Sequence, residues 1–142
     1  FVEHFKDPGS ILNRWKGILR RDGLVITCIP NLFSMNALLL KWLDPDLWAQ
    51  HVRYTPEDMD RFHADAGLVP VRPARYQGRY DIHMLVPWDR IKQAVGRRWI
   101  FRMIKNLAYF GVGIPLSALP KSGLRPVNAL VMGVYANPSG PA

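Results

Sequence analysis

The chain has 142 residues, 49% of them hydrophobic, and a formal net charge of +8. That is enough for one domain with a real core, and the composition excludes an intrinsically disordered segment. A single cysteine, Cys28, excludes an internal disulfide. The uncharged run from Asn106 to Pro120 is interrupted by Gly111, Gly113 and Pro115, and it falls short of the ~20 residues a membrane-spanning helix needs.

Phe1-Val2-Glu3-His4 reads as the exit of a strand. Asp7 and Pro8 suit the N-cap and first position of a helix. Ile11, Leu12, Trp15, Ile18 and Leu19 then recur at helical spacing and make one apolar face. Asp22-Gly23 ends that helix through a glycine free to take a left-handed conformation. Leu24 to Ile29 carries no charge, as expected of a parallel strand buried on both faces. Cys28 within it reads as an inert core thiol in a reducing compartment. Pro30-Asn31 stops the strand.

Leu32 to Leu43 reads as a short apolar helix ended by Asp44-Pro45. Thr55-Pro56-Glu57-Asp58 is a helix start with a cap, a proline and early acids. Met59, Phe62, His63 and Ala66 form its inner face, so His63 reads as a core residue. Leu68 to Tyr76 reads as a strand, and Pro70 and Pro73 mark it as an edge. Trp88 to Phe110 predicts one helix or two with a break at Gly96. Its apolar contacts are expected from Ile91, Val95, Trp99, Met103 and Leu107. Val127 to Ala136 is a final strand. This alternation points to an α/β layered sheet.

Taken in order, Glu3-His4, the helix opened by Asp7-Pro8, the strand Leu24 to Ile29 and the turn Pro30-Asn31 resemble the middle of class I S-adenosylmethionine-dependent methyltransferases. His51-Val52-Arg53-Tyr54-Thr55-Pro56-Glu57 through Ala66-Gly67-Leu68 is similar to the family's segment feeding its sixth strand. The resemblance covers roughly residues 1–76 and 124–137. It implies the C-terminal half of a Rossmann-like methyltransferase domain, a mixed sheet with an antiparallel last strand. The whole of 1–142 would be the C-terminal part of one domain, with a helical insertion at about 78–123. The glycine-rich loop that cradles the cofactor is not among these residues, so the isolated chain is expected to be inactive.

What the resemblance implies for function is methyl transfer from S-adenosylmethionine to a small apolar acceptor, in the manner of quinone O-methyltransferases. By it, Phe1 and Val2 would line the cofactor pocket, and Glu3, Pro30 and Asn31 would border the acceptor. His4 and His51 are the candidate bases, since imidazole titrates near neutral pH. Asn31 reads equally as a turn residue, and Glu3-His4 as a helix-entry pair. A minor alternative is a divalent metal held by Glu3, His4 and His51. The plainer reading is no metal, because magnesium prefers oxygen ligands. The apolar set Leu32 to Trp48 would lid a lipid-like or aromatic acceptor.

Arg90, Lys92, Arg97, Arg98, Arg102 and Lys105 face one acid, Asp89, in the same stretch. Such a stripe suits an anionic membrane surface, nucleic acid or plain solvation. A cytoplasmic protein with a peripheral membrane contact is expected, and nucleic acid is the less favoured partner. The competing reading of the whole chain is a non-catalytic basic module that binds nucleic acid or an anionic membrane surface.

Overall fold

The computed structural model describes residues 4–138. Three strands form one sheet: β1 (Leu24–Pro30), β2 (Val69–Gln77) and β3 (Leu130–Ala136). Their order is β1-β3-β2, and β3 pairs antiparallel with both neighbours. β1 and β2 therefore run in the same direction on either side of a reversed last strand. The expected mixed pairing is not present among the described residues, where both strand pairs are antiparallel. The strand exit expected at Phe1 to Glu3 lies outside the described residues.

Pro70 and Pro73 explain why β2 is at the edge. Proline donates nothing to a ladder, and the β2–β3 register shifts between Pro70 and Arg72 and again between Arg72 and Arg75. β3 is the central strand and carries the alternation of a sheet with one covered face, with Val131 and Tyr135 0% exposed.

Helices α1 (Gly9–Ile18) and α4 (Pro56–Asp65) cover that face. Leu12 from α1, Met59, Phe62 and Ala66 from the α4 segment, and Val25, Ile29, Leu68, Val131 and Tyr135 make one core. α4 starts as its sequence requires. The Thr55 hydroxyl accepts from the Asp58 N–H, and the Asp58 carboxylate accepts from the Thr55 N–H. α1 starts one residue later than expected, with Asp7 accepting from the Gly9 N–H at 3.1 Å.

Three expectations are corrected here. β1 is covered on one face only: Leu24 and Ile26 are 56% and 66% exposed, and Cys28 is exposed rather than buried. The charge-free run signalled two buried faces, but among the described residues no element packs on the second. α1 ends at Ile18, which is 81% exposed instead of part of the inner face. At the turn into β1, Asp22 takes the left-handed conformation (φ 59°) rather than Gly23. Gly23 is needed for a different reason, because a Cβ there would lie 2.8 Å from the Arg20 carbonyl oxygen.

After β1 come α2 (Met35–Leu43), capped by Ser34, and the short α3 (Pro45–Ala49), capped by Asp44. Between β2 and β3 the chain makes α5 (Trp88–Val95), α6 (Arg98–Ala108), a π-helical turn (Tyr109–Gly113) and α7 (Ile114–Ser117). Gly96, at φ 67°, separates α5 from α6, where a break was expected. The excursion closes on itself: Gln77 bridges Ser122, and the Gly123 N–H donates to the Tyr76 carbonyl at 3.0 Å. A small second core of Tyr80, Ile82 and Val127 holds it, with Trp88 and Ala108 packed on the outside. Among the described residues no helix is long and apolar enough to cross a membrane.

Candidate functional site

In open α/β sheets, ligands sit beyond the C-terminal ends of strands. At that end of β1 a cleft of about 370 Å³ is lined by Leu32, Phe33, Leu38, Lys41, Trp48, Arg53, Arg125 and Pro126. The lining combines aromatic and aliphatic side chains with three cations, and no acid is among the described residues that line it. The Arg125 guanidinium lies 4.3 Å over the Phe33 ring, and that of Arg53 lies 5.9 Å from the Trp48 ring. Stacking of this kind holds a guanidinium in place while leaving its N–H edges for an acceptor.

Asn31 builds this cleft from beneath. It is 0% exposed, and its amide donates to the carbonyls of Arg125 (2.5 Å) and Asn128 (2.8 Å). Its Oδ1 accepts from the Phe33 N–H at 3.0 Å. One side chain thus pins the walls carrying Phe33 and Arg125 to each other, and its polar atoms point into the fold. Pro30 is the last residue of β1, paired with Leu130, and does not line the cleft.

Other buried asparagines do the same work nearby. The Asn128 amide donates to Gly78 and Pro120, and its Oδ1 accepts from the Leu124 N–H. Asn36 on α2 donates to Asp81 and Met84 and accepts from the Tyr80 hydroxyl. A second tie is ionic: Arg90 on α5 reaches the Asp44 carboxylate at 2.9 Å. The hydrogen bond from Arg90 holds the Asp44 carboxyl below its ordinary range. Together these contacts seat the α5–α7 excursion against the segment that follows β1.

The structure brings His4 and His51 together, with ring centroids 4.7 Å apart and planes tilted by 45°. His51 Nδ1 lies 2.8 Å from the Leu47 carbonyl oxygen, and His4 Nδ1 lies 3.3 Å from that of Gln50. A carbonyl can only accept, so each Nδ1 carries the proton and each Nε2 the lone pair. In the neutral ring that tautomer leaves Nε2 as the nitrogen able to accept a proton. Tyr54 donates its hydroxyl to the Phe5 carbonyl and so ties the backbone beside His4 to the segment after His51. Burial pushes the Tyr54 phenol up.

The remaining expected residues fall elsewhere. Phe1, Val2 and Glu3 lie outside the described residues. Among the described residues no group of three or more His, Cys, Asp or Glu side chains is arranged to hold a metal ion. His63 is 0% exposed inside the main core. His83 is exposed beside Trp88 and Tyr109, away from the other histidines. Sequence reasoning missed Lys41, Arg53 and Arg125 as a set. They lie on three separate segments, and nothing local marks them as neighbours.

No protein-family model and no curated protein sequence matches the chain.

Proposed function

We propose that this chain supplies the acceptor side of an S-adenosylmethionine-dependent methyltransferase acting on a small acceptor with an apolar body and an anionic group. The observation that carries the reading is the reversed last strand in the strand order β1-β3-β2, in keeping with the antiparallel last strand that the resemblance implies. The cleft beyond β1, where that family takes its acceptor, adds to it. The three cations beside aromatic side chains refine the acceptor from purely apolar to apolar with a negative end.

Phe1 and Val2, which the resemblance assigns to the cofactor, lie outside the described residues. The cofactor would supply an electrophilic methyl group on a sulfonium. This chain's residues have the remaining tasks. Phe33 and Trp48 hold the acceptor body by stacking, and Lys41, Arg53 and Arg125 set its orientation. His51, or His4 beside it, takes the acceptor's hydroxyl proton on Nε2. Removal of that proton would leave the acceptor oxygen nucleophilic, held for the methyl group that the cofactor would supply.

The test is a methyl-transfer assay on the gene product that contains this chain. Paired acceptors would share a hydroxylated aromatic ring and differ in a carboxylate or a neutral amide. The expected result is turnover favouring the carboxylate. Turnover confined to neutral acceptors would contradict the anionic end, and no transfer to either member would count against the reading.

A further inference from the structure

The α6 helix carries more apolar surface than the fold covers. Phe101 and Ala108 turn inward, Phe101 meeting Trp88 edge-on with ring centroids 6.3 Å apart. Trp99, Met103 and Leu107 were expected to pack inward as well, and they do not. Their exposures are 63%, 56% and 72%, and Phe110 adds another 65% exposed ring. These four line an open groove of about 540 Å³ with Arg102 and Asn106. Arg98 and Arg102, one helical turn apart, run along one side of this stripe. Lys92, Arg97 and Lys105 lie close in sequence, and among the described residues none of these five cations takes part in an ion pair.

We infer that this face of α6 docks in the interfacial layer of an anionic lipid membrane, with Trp99, Met103, Leu107 and Phe110 among the acyl chains and Arg98 and Arg102 at the headgroups. An exposed apolar stripe with Trp and Phe, bordered by cations, is what an in-plane interfacial helix requires. A second copy of the chain fits the stripe poorly, because a symmetric contact would bring the same cations against one another. Nucleic acid fits less well, since the aliphatic Met103 and Leu107 separate Trp99 from Phe110 along the stripe and offer no plane for successive bases. The inference goes beyond the methyl-transfer reading and does not depend on it.

The experiment is co-sedimentation of the 142-residue chain with phosphatidylcholine vesicles, with and without phosphatidylglycerol, at low and high salt. Neither cofactor nor acceptor is present, so failure here leaves the methyl-transfer reading untouched. The expected result is binding to the anionic vesicles that weakens with salt. The pair Arg98→Gln and Arg102→Gln should lower that partition by roughly fivefold per cation. The pair Trp99→Ala and Phe110→Ala should weaken binding to both vesicle types. All four positions are exposed, so an unchanged thermal melt confirms that the variants fold. No binding to anionic vesicles at low salt overturns the inference. So does binding that both double variants leave unchanged, or a vesicle-free dimer that Trp99→Ala disperses.

Discussion

The phenol ring of Tyr135 lies flat against the imidazole of His63, with centroids 3.6 Å apart and planes 8° from parallel. Tyr135 also crosses Gly133, where an added Cβ would lie 2.8 Å from the tyrosine ring. The phenol donates to Asp60 at 2.7 Å. His63 Nδ1 donates to the Met59 carbonyl at 2.7 Å, so its Nε2 accepts from the Thr27 hydroxyl, also at 2.7 Å. Tyr135 from β3, Asp60 and His63 from α4, and Thr27 from β1 are therefore tied together.

Gly133→Ala should destabilise the chain by about 1–3 kcal/mol, because the ring must leave its stack and its hydrogen bond together. Tyr135→Phe keeps the stack and loses only the hydroxyl contact, at a cost of about 0.5–1.5 kcal/mol. Urea titration of both variants checks the order. A Gly133→Ala variant as stable as the parent would mean this packing is looser than described.

Burial holds the His63 imidazole below its ordinary value of 6.5. The unfolded chain then binds a proton more readily than the folded one. The contribution of His63 to stability is complete above pH 6.5 and is lost as pH falls from there towards its depressed folded value. The slope from this group is at most about 1.4 kcal/mol per pH unit. His63→Gln should flatten the stability profile in that window, as read by denaturant titration between neutral and mildly acid pH. An identical slope in the variant would contradict the buried, neutral imidazole. At the alkaline end burial raises the Tyr135 phenol, so the folded state keeps its proton and stability falls as the unfolded phenol ionises.

Cys28 lies on the uncovered face of β1 with Leu24 and Ile26. In the 142-residue chain its thiol should react with an aromatic disulfide reagent under native conditions, without prior unfolding. Reaction only after unfolding would place a cover on that face.

Much of the architecture could be read from the residues. The two prolines put β2 at the edge, the Thr55–Asp58 box started α4, and Gly96 split α5 from α6. These signals are local, a cap or a breaker acting on its own few residues. What escaped depends on partners distant in sequence. The charge-free stretch around Cys28 cannot show that only one face finds a covering helix. The apolar periodicity of α6 identifies a stripe without saying that Phe101 turns inward and Trp99 outward. Asn31 has the composition of a turn residue, and its part as a brace appears only once Arg125 and Asn128, nearly a hundred residues later, lie against it. The cation set at the cleft was illegible for the same reason, and the meeting of His4 and His51, each named as a candidate base, was raised only in the minor metal alternative.

His51→Ala should lower kcat for methyl transfer by about 10²- to 10⁴-fold if its Nε2 takes the acceptor proton, with KM little changed. Arg125→Gln should instead raise KM, and more for an anionic acceptor than for a neutral one. Steady-state kinetics on the gene product containing this chain separates the two roles. A KM effect without a kcat effect at His51 would make it a positioning residue.

Calorimetric titration with S-adenosylmethionine tests the central claim most directly, run in parallel on the 142-residue chain and on the gene product that contains it. The account predicts saturable binding by the gene product and little or none by the 142 residues alone, which on the proposed reading supply the acceptor side. No binding by the gene product, or equally tight binding by the 142-residue chain, would contradict it.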